Sequence, residues 1–239
     1  MKEKNERQNS IRRNAAQKSL ESAAHDTGRG AETTPGHDAS HAERAQRVAV
    51  EQRRLREWAK ENGKLKRGLL PEDSRGGEHI VHFDERSGRY FKATRPEAQR
   101  GYGIAFGSHS QGATPGEYLD RLIIHNRIFG DDVRLERVVS IGDKLSIVTS
   151  QPTIKGRDAT QTEIDGMMAQ KGFEKIGVGA YYHSDENILI HDLVPKNVKV
   201  SGHDGMVHPI DPVIQRVTPE FADFMKRHPV SGDLETGQK

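Results

Sequence analysis

A short stretch near the end of the chain constrains the fold more than any other. Residues 198–200 and 206–210 are strand-like, and residues 201–205, Ser-Gly-His-Asp-Gly, supply a turn between them. An antiparallel hairpin brings the residues just before its first strand close to the residues just after its second. The stretch therefore predicts a hairpin whose open end gathers side chains that are well separated in sequence.

Three oxygen-bearing side chains flank this predicted hairpin. Asp192 and Asn197 precede it, with Pro195 stiffening the loop between them, and Asp211 follows it. Hard oxygen donors of this kind hold Mg²⁺, and a separate carboxylate can accept the proton of an attacking hydroxyl. We expect Asn197 and Asp211 to be metal ligands and Asp192 to be a catalytic base. Asp, Asn and Pro also cap ordinary turns, so the loop alone leaves a purely structural role open.

A lysine far upstream resembles, in its setting, the phosphate-binding lysine that protein kinases carry on their third strand. Two strand-like runs flank a turn at Ser87-Gly88, and Lys92 lies near the end of the second run. A lysine on a strand is also commonly a solvated edge residue. Lys92 therefore becomes informative only together with the loop at 192–197.

The region between Lys92 and the loop predicts a helix followed by two paired strands. Thr114 is an N-cap, Pro115 occupies the first helical position, Glu117 completes a capping box, and Gly130 ends the helix. Residues 133–139 and 145–149 then form an antiparallel pair joined at Gly142-Asp143, with a polar exit at Ser150-Gln151-Pro152.

Two carboxylates on this helix could pair with Lys92. We expect Glu117 to be engaged with the helix start, and Asp120 lies about one turn further on. We therefore favour Asp120 and keep Glu117 as the alternative. Because aspartate is one methylene shorter than glutamate, the ion pair would be looser or bridged by water.

The spacing Asp-Leu-x-Pro-x-Asn from Asp192 resembles the catalytic loop of protein kinases and of aminoglycoside-phosphotransferase-like kinases. The chain over residues 45–220 resembles a minimal polyvalent protein kinase domain of bacterial mobile elements and phages. This resemblance implies an α+β class: a protein kinase-like two-lobed fold with a small antiparallel-sheet N-terminal lobe and a truncated C-terminal lobe. The resemblance is carried by Leu55–Ala59, Gly77–His79, Phe83–Glu85, Gly88–Thr94, Thr114–Leu119, Phe129–Asp132, Ile147–Pro152 and Asn187–Val198.

The same resemblance implies an ATP-dependent kinase that uses Mg²⁺. Lys92 would hold the α- and β-phosphates, and the backbone of Ser150 and Gln151 would contact adenine beneath Thr149. The phosphate acceptor, a protein or a small molecule, is not indicated.

Several departures favour a second hypothesis, a weak pseudokinase or nucleotide-binding scaffold. No G-x-G-x-x-G loop precedes Lys92, and the nearest substitute is the two-glycine turn at residues 75–77. Pro152 removes a backbone donor from the exit strand. His191 abuts Asp192 directly, where protein kinases have an intervening arginine. After Asp211 the chain holds one further predicted helix, over Pro219–Lys226.

The ends of the chain are predicted to lie outside the folded domain. Residues 1–40 contain almost no large hydrophobic side chains, so we expect a disordered tail. The domain is expected over residues 41–225, with a flexible tail over 226–239. It opens on an amphipathic helix, capped at Ser40 and ending at Gly63, whose apolar stripe we expect to pack on its own domain.

Composition narrows the remaining classes. The 239 residues carry a net charge of +2, which is too small to indicate a polyanionic partner. Nucleic-acid binding is kept as a minor hypothesis because of Arg47, Arg53, Arg54 and Arg56. The absence of cysteine is compatible with a cytoplasmic protein, and no segment predicts a signal peptide or a membrane span.

Histidines suggest one further alternative. His191, His203 and His208 lie near Asp192 and Asp211 in sequence, so a zinc or iron hydrolase is a minor hypothesis. These pairs lack the helical spacing of common zinc motifs. His191 could also orient Asp192, although a structural role for this histidine is favoured.

Overall fold

The computed structural model of the chain describes residues 2–28, 41–68, 71, 74–75, 78–96, 101–104 and 112–228. The chain divides into two compact units, residues 1–153 and 154–239. The division falls after Thr153, directly beyond the polar exit at Ser150-Gln151-Pro152 that the sequence indicates.

A six-stranded sheet forms the framework of the first unit. Its strand order is β1-β5-β6-β4-β3-β2, and every pairing is antiparallel except that of β1 with β5. The two hairpins that the sequence predicts in this unit are present. They are β3–β4, with its turn at Ser87-Gly88, and β5–β6, with its turn at Gly142-Asp143. The strands are β1 (Leu65–Lys66), β2 (Ser74–Arg75), β3 (His79–Asp84), β4 (Arg89–Thr94), β5 (Arg134–Ile141) and β6 (Lys144–Pro152).

Among the residues of this unit that the structure describes, three helices accompany the sheet: α1 (Lys2–Gly28), α2 (His41–Glu61) and α3 (Pro115–Phe129). The predicted start and end of α3 are confirmed. Thr114 accepts a hydrogen bond from the amide of Glu117, whose side chain accepts one from the amide of Thr114. Gly130 ends the helix in the left-handed conformation at φ 65°, which glycine adopts without a Cβ clash.

Helix α2 packs on its own unit, as its apolar stripe predicts. Leu55, Trp58 and Ala59 are buried in a core that also contains Leu119 of α3 and Leu145 of β6. Several of the α2 arginines that kept a nucleic-acid role open bond within the unit: Arg47 pairs with Glu51, and Arg56 donates to Ser140 Oγ and to the carbonyl of Asp143.

The prediction of a disordered tail over residues 1–40 is wrong for residues 2–28, which form α1. Leu20 and Ala23 are fully buried in the same core as Trp58, and the Trp58 indole donates to Ser22 Oγ over 3.0 Å. A few small and apolar side chains on one face are enough because most helix stability comes from tertiary packing. Residues 29–40 lie outside the described part of the chain.

In its described residues, 154–228, the second unit contains two antiparallel sheets and two α-helices. The order is β13-β10-β9-β8 in the four-stranded sheet and β12-β11-β7 in the three-stranded sheet. The predicted hairpin at residues 198–210 is confirmed as β11–β12. The elements are β7 (Gly156–Asp158), α4 (Gln161–Gln170), β8 (Glu174–Gly177), β9 (Ala180–His183), β10 (Ile188–His191), β11 (Val198–Ser201), β12 (Val207–Pro209), β13 (Val213–Arg216) and α5 (Pro219–Arg227).

The last predicted helix is confirmed as α5, which Thr218 caps and which buries Phe221, Ala222 and Met225. Lys226 and Arg227 belong to this helix, so the predicted flexible tail over 226–239 begins too early. Residues 229–239 lie outside the described part of the chain. None of the described helices is both long and apolar enough to cross a membrane.

Candidate active site

Asp192 adopts an unusual backbone conformation at the end of β10. Its φ is 60°, and among the described residues Asn187 is the one other non-glycine residue with positive φ. Aspartate and asparagine tolerate this region better than other side chains. The side-chain Nδ2 of Asn197 donates to the Asp192 carbonyl over 3.1 Å and to Asp192 Oδ2 over 2.7 Å. The predicted base and the predicted metal ligand are therefore direct neighbours.

A turn between β8 and β9 supports this loop from one side. The amide of Leu193 donates to the carbonyl of Gly179 over 3.1 Å, and Leu193 is fully buried. Gly179 has φ 64°, and a Cβ at this position would lie 3.0 Å from Val194 Cγ1 and 3.2 Å from the Leu193 carbonyl oxygen. Only glycine therefore combines this backbone conformation with so close an approach to the loop.

Two strand registers bring Asp211 to the same place. In the hairpin β11–β12, Val198 lies opposite Pro209, and the amide of Ile210 donates to the carbonyl of Asn197 over 2.9 Å. In the other sheet, His191 of β10 lies opposite Val213 of β13. Asp211 therefore lies between two fixed points. Ile210, just before it, bonds to Asn197, and Val213, two positions after it, pairs with His191, the neighbour of Asp192.

This convergence bears on the structural alternative for the loop. A turn-capping role alone would account for the bond between Asn197 and Asp192. It would not require a further carboxylate directly after the hairpin β11–β12, next to the loop in sheet register. Two carboxylates and a carboxamide form a hard-oxygen donor set, which suits Mg²⁺.

The zinc or iron alternative finds no support in the described part of the chain, where no three His, Cys, Asp or Glu side chains are grouped as metal ligands. His203 lies at the exposed tip of the hairpin β11–β12. Imidazole-rich hydrolase chemistry therefore lacks a ligand set here.

His191 is a core residue. Its exposed fraction is 2%, and burial lowers its pKa from 6.5 to about 4, because the uncharged ring is favoured away from water. A neutral imidazole next to Asp192 adds no positive charge beside the predicted base, so the favoured structural role for His191 fits its surroundings.

We expect His191 to make the chain less stable in weak acid. Above pH 6.5 the ring is neutral in both the folded and unfolded states. Below it the unfolded state takes up a proton first, so stability is lost progressively from pH 6.5 down to about 4. The loss attributable to this group is about 3 kcal/mol in the free energy of unfolding. Urea titrations from pH 8 to pH 4 should show that H191Q loses less stability than the parent. H208Q, which alters a more exposed histidine, should follow the parent, and parallel curves for H191Q would contradict this assignment.

Lys92 lies on an interior strand of the sheet in the first unit. Its neighbours across the sheet are Val81 of β3 and Thr149 of β6, and its side chain is partly buried. Lys92 is therefore not the solvated edge lysine that its sequence context left open.

The structure shows how Glu117 is engaged. Its Oε2 accepts from the amide of Thr114 over 2.9 Å and from Arg44 Nη2 over 2.6 Å. The expectation that Glu117 serves the helix start is confirmed. Whether Lys92 pairs with Asp120 or with Glu117 stays a prediction.

The predicted adenine contacts lie within β6. Ser150 and Gln151 are buried, and their side chains bond to Glu136 and Asp131 respectively. The carbonyl of Ser150 accepts from Arg89 Nη2 over 3.1 Å. Nucleotide binding by the backbone of these residues stays a prediction, and the two-glycine turn at 76–77 lies outside the described residues.

Sequence reasoning missed the contacts that fix α3 against the sheet. Glu78 accepts from the amide of Ile104 over 2.8 Å and pairs with Arg121 of α3 over 3.3 Å. His79 Nε2 lies 3.0 Å from the hydroxyl of Tyr118. The local sequence contains no periodic or capping signal for these contacts, because each joins segments far apart in the chain.

The elements described so far define a class. A kinase-like phosphotransferase has parts of the following kind. They are an interior-strand lysine, a capped helix with two acids, and an aspartate and an asparagine in one loop with a second aspartate after the next hairpin, on an α+β framework. A family model described as "Serine/Threonine/Tyrosine Kinase found in polyvalent proteins" matches residues 49–218. This match covers most of the chain, and the chain belongs to that family. Searches of curated proteins and of solved structures found no match.

Proposed function

We propose that the chain is an ATP- and Mg²⁺-dependent phosphotransferase that modifies a hydroxyl group. The convergence of Asp192, Asn197 and Asp211 in the second unit is the observation that carries this proposal. Family membership supports the kinase-like class. The cofactors, the catalytic roles, a cytoplasmic location and an origin in a phage or mobile element are the proposed part.

Asn197 and Asp211 would hold Mg²⁺, whose oxygen preference their side chains match. When bound, the ion supplies positive charge against the phosphates. The hairpin register and the bond from Ile210 to Asn197 hold the two ligands in a fixed relation. Fixed ligands reduce the reorganisation needed during the reaction.

Asp192 would accept the proton of the acceptor hydroxyl. As that proton moves to the carboxylate, the hydroxyl oxygen bonds to the γ-phosphorus, and the bond from this phosphorus to the β–γ bridging oxygen breaks to release ADP. The side-chain Nδ2 of Asn197, at 2.7 Å from Asp192 Oδ2, orients the carboxylate for this transfer.

Lys92 would hold the α- and β-phosphates, and Asp120 would be the acid that orients it. Glu117 already receives the Thr114 amide and the Arg44 guanidinium on one oxygen. Asp120 lies one helical turn further along α3 and is partly exposed. A loose Lys92–Asp120 pair would align the phosphates less strictly than the usual glutamate does.

A nucleotide-binding scaffold without transfer activity is the second candidate. The specific observation in its favour is the absence of a G-x-G-x-x-G loop before Lys92. Such a scaffold would keep Lys92, Asn197 and Asp211 as nucleotide and metal contacts. It would make no use of Asp192.

Two measurements test the proposal together. ATP with Mg²⁺ should raise the melting temperature of the full chain, since a ligand that binds only the folded state stabilises it. Labelled γ-phosphate should then be transferred to the chain itself or to an acceptor from a panel of proteins and small alcohols. Stabilisation without transfer or ATP turnover would select the scaffold, and no stabilisation at all would overturn both candidates.

A further inference from the structure

The first turn of α3 is held by α2. Arg44 Nη2 donates to Glu117 Oε2 over 2.6 Å and to the carbonyl of Gly112 over 2.9 Å. The side chains of Arg44 and Glu117 are 13% and 16% exposed, so the pair is mostly shielded from water. One guanidinium therefore joins the capping acid of α3 to the backbone at Gly112, just before the helix.

A buried carboxylate of α2 makes a second contact with the same turn. Glu51 is 1% exposed, accepts from the amide of Gly116 over 2.7 Å, and pairs with Arg47 over 2.6 Å. A carboxylate at a helix N-terminus is favoured by the helix dipole and by the unsatisfied amides there. A Cβ at residue 116 would lie 3.0 Å from Glu51 Oε2, so glycine at this position lets the carboxylate reach the backbone.

The other end of α3 is held by α1. Asn126 Nδ2 donates to Gln17 Oε1 over 2.9 Å, and Arg13 Nη2 donates to the carbonyls of Gly130 and Asp131. Helix α1 and Arg44 both precede residue 49, where the family match begins. Segments upstream of the family match thus contact both ends of α3.

Helix α3 contacts β3, which is the neighbour of the strand that carries Lys92. Tyr118 and Arg121 of α3 contact His79 and Glu78 at the start of β3. Strand β3 pairs with β4, and Val81 lies opposite Lys92. A continuous set of hydrogen bonds therefore joins Arg44 and Glu51, through α3 and β3, to the strand of the proposed phosphate-binding lysine.

We propose that Arg44 and Glu51 are positioning residues for phosphate transfer, and this inference rests on the proposed function. They fix the first turn of α3, which sets Asp120 relative to Lys92 and so aligns the phosphates. In kinases the strand lysine and its helix acid must both be in place. Here Arg44, which precedes the family match, and Glu51, which lies within it, hold that arrangement from α2, so the segment that carries Arg44 is a working part of the kinase.

The test compares R44Q with a matched substitution on the same helix. Arg56 also bonds within the unit, to Ser140 and to the carbonyl of Asp143, and it does not bond to α3. We expect R44Q to lower kcat/KM for ATP about tenfold, because small misplacements of reacting groups have large kinetic costs. R56Q should stay within about twofold of the parent. R44K should fall between them, since an ammonium keeps one ion pair but cannot reproduce the guanidinium's fork.

The kinetics are measured well below the melting temperature of each variant, with hydrogen exchange of the backbone amides of residues 116–118 as an independent readout. Faster exchange in R44Q and E51Q than in R56Q, together with the kinetic loss, supports the positioning role. An active parent with equal kinetics in R44Q and R56Q overturns it and leaves the proposed function standing. A parent that neither binds nor turns over ATP overturns the proposed function, and this inference with it.

Discussion

Replacing Asp192 by asparagine is expected to lower phosphate transfer about a thousandfold while ATP and Mg²⁺ still stabilise the fold. General-base catalysis contributes on the order of 10²–10⁴-fold, and an amide cannot accept the proton. Asparagine suits this position better than alanine because φ is 60° and asparagine tolerates that conformation. Its oxygen can also still accept from Asn197. Transfer of labelled phosphate and the thermal shift are measured on the same preparation.

The matched control for this substitution is N187D. Asn187 is the other non-glycine residue with positive φ among the described residues, and its Oδ1 accepts from the Tyr182 hydroxyl over 2.7 Å. An Asn-to-Asp exchange there tests the effect of swapping these two side chains in a left-handed conformation. N187D should keep its activity. If D192N keeps activity as well, Asp192 is not the base and the loop serves a structural role.

Replacing Asp211 by asparagine is expected to abolish the Mg²⁺-dependent stabilisation by ATP. A site saturated to 100 times its Kd stabilises the fold by about 2.7 kcal/mol, and loss of the charged ligand should remove most of that. The melting temperature without nucleotide should change little because the substitution is nearly isosteric. Titrating ATP at fixed Mg²⁺, and again with the metal chelated, separates metal-dependent from metal-independent binding.

D204N is the control for D211N, since Asp204 is an exposed carboxylate on the turn of the same hairpin and accepts from the amide of Met206. D204N should bind ATP and Mg²⁺ like the parent. The decisive comparison is between D211N and D192N. Equal loss of nucleotide binding in both would contradict the separate roles assigned to the two acids.

Local signals in the sequence predicted most of the helix and hairpin boundaries. The cap at Thr114, the proline after it and the closing glycine at 130 act within a few residues of one another, so α3 could be placed from the sequence. The same holds for the turns at Ser87-Gly88 and Gly142-Asp143. Such signals depend only on backbone preferences and neighbouring hydrogen bonds.

Helix α1 could not be predicted in this way because its stability comes from tertiary contacts. Leu20 and Ala23 are buried only where α1 meets Trp58 and its neighbours. Apart from Leu20, residues 2–28 contain one other large apolar side chain, Ile11, and a few alanines, and such a composition favours disorder when the segment is considered alone. The expectation failed because it counted apolar side chains and not the surface that receives them.

The same distinction between local signals and tertiary contacts applies to the candidate site. Asp192, Asn197 and Asp211 could be proposed from spacing, and the two strand registers then bring them together. The supports of α3, Arg44 with Glu117 and Glu51 with Gly116, join segments that no local pattern relates. A single sequence therefore indicates which side chains could react more readily than it indicates which ones hold them in place.

The hairpin β11–β12 has a consequence for recognising similar proteins. The proposed metal ligands lie at its open end, where Val198 faces Pro209, while the turn at 201–205 lies at the opposite end. Paired insertions or deletions at the turn would lengthen or shorten both arms and leave the open end unchanged. The number of residues between Asn197 and Asp211 is therefore not itself under chemical constraint. Searches that fix this interval would overlook chains with the same ligand arrangement.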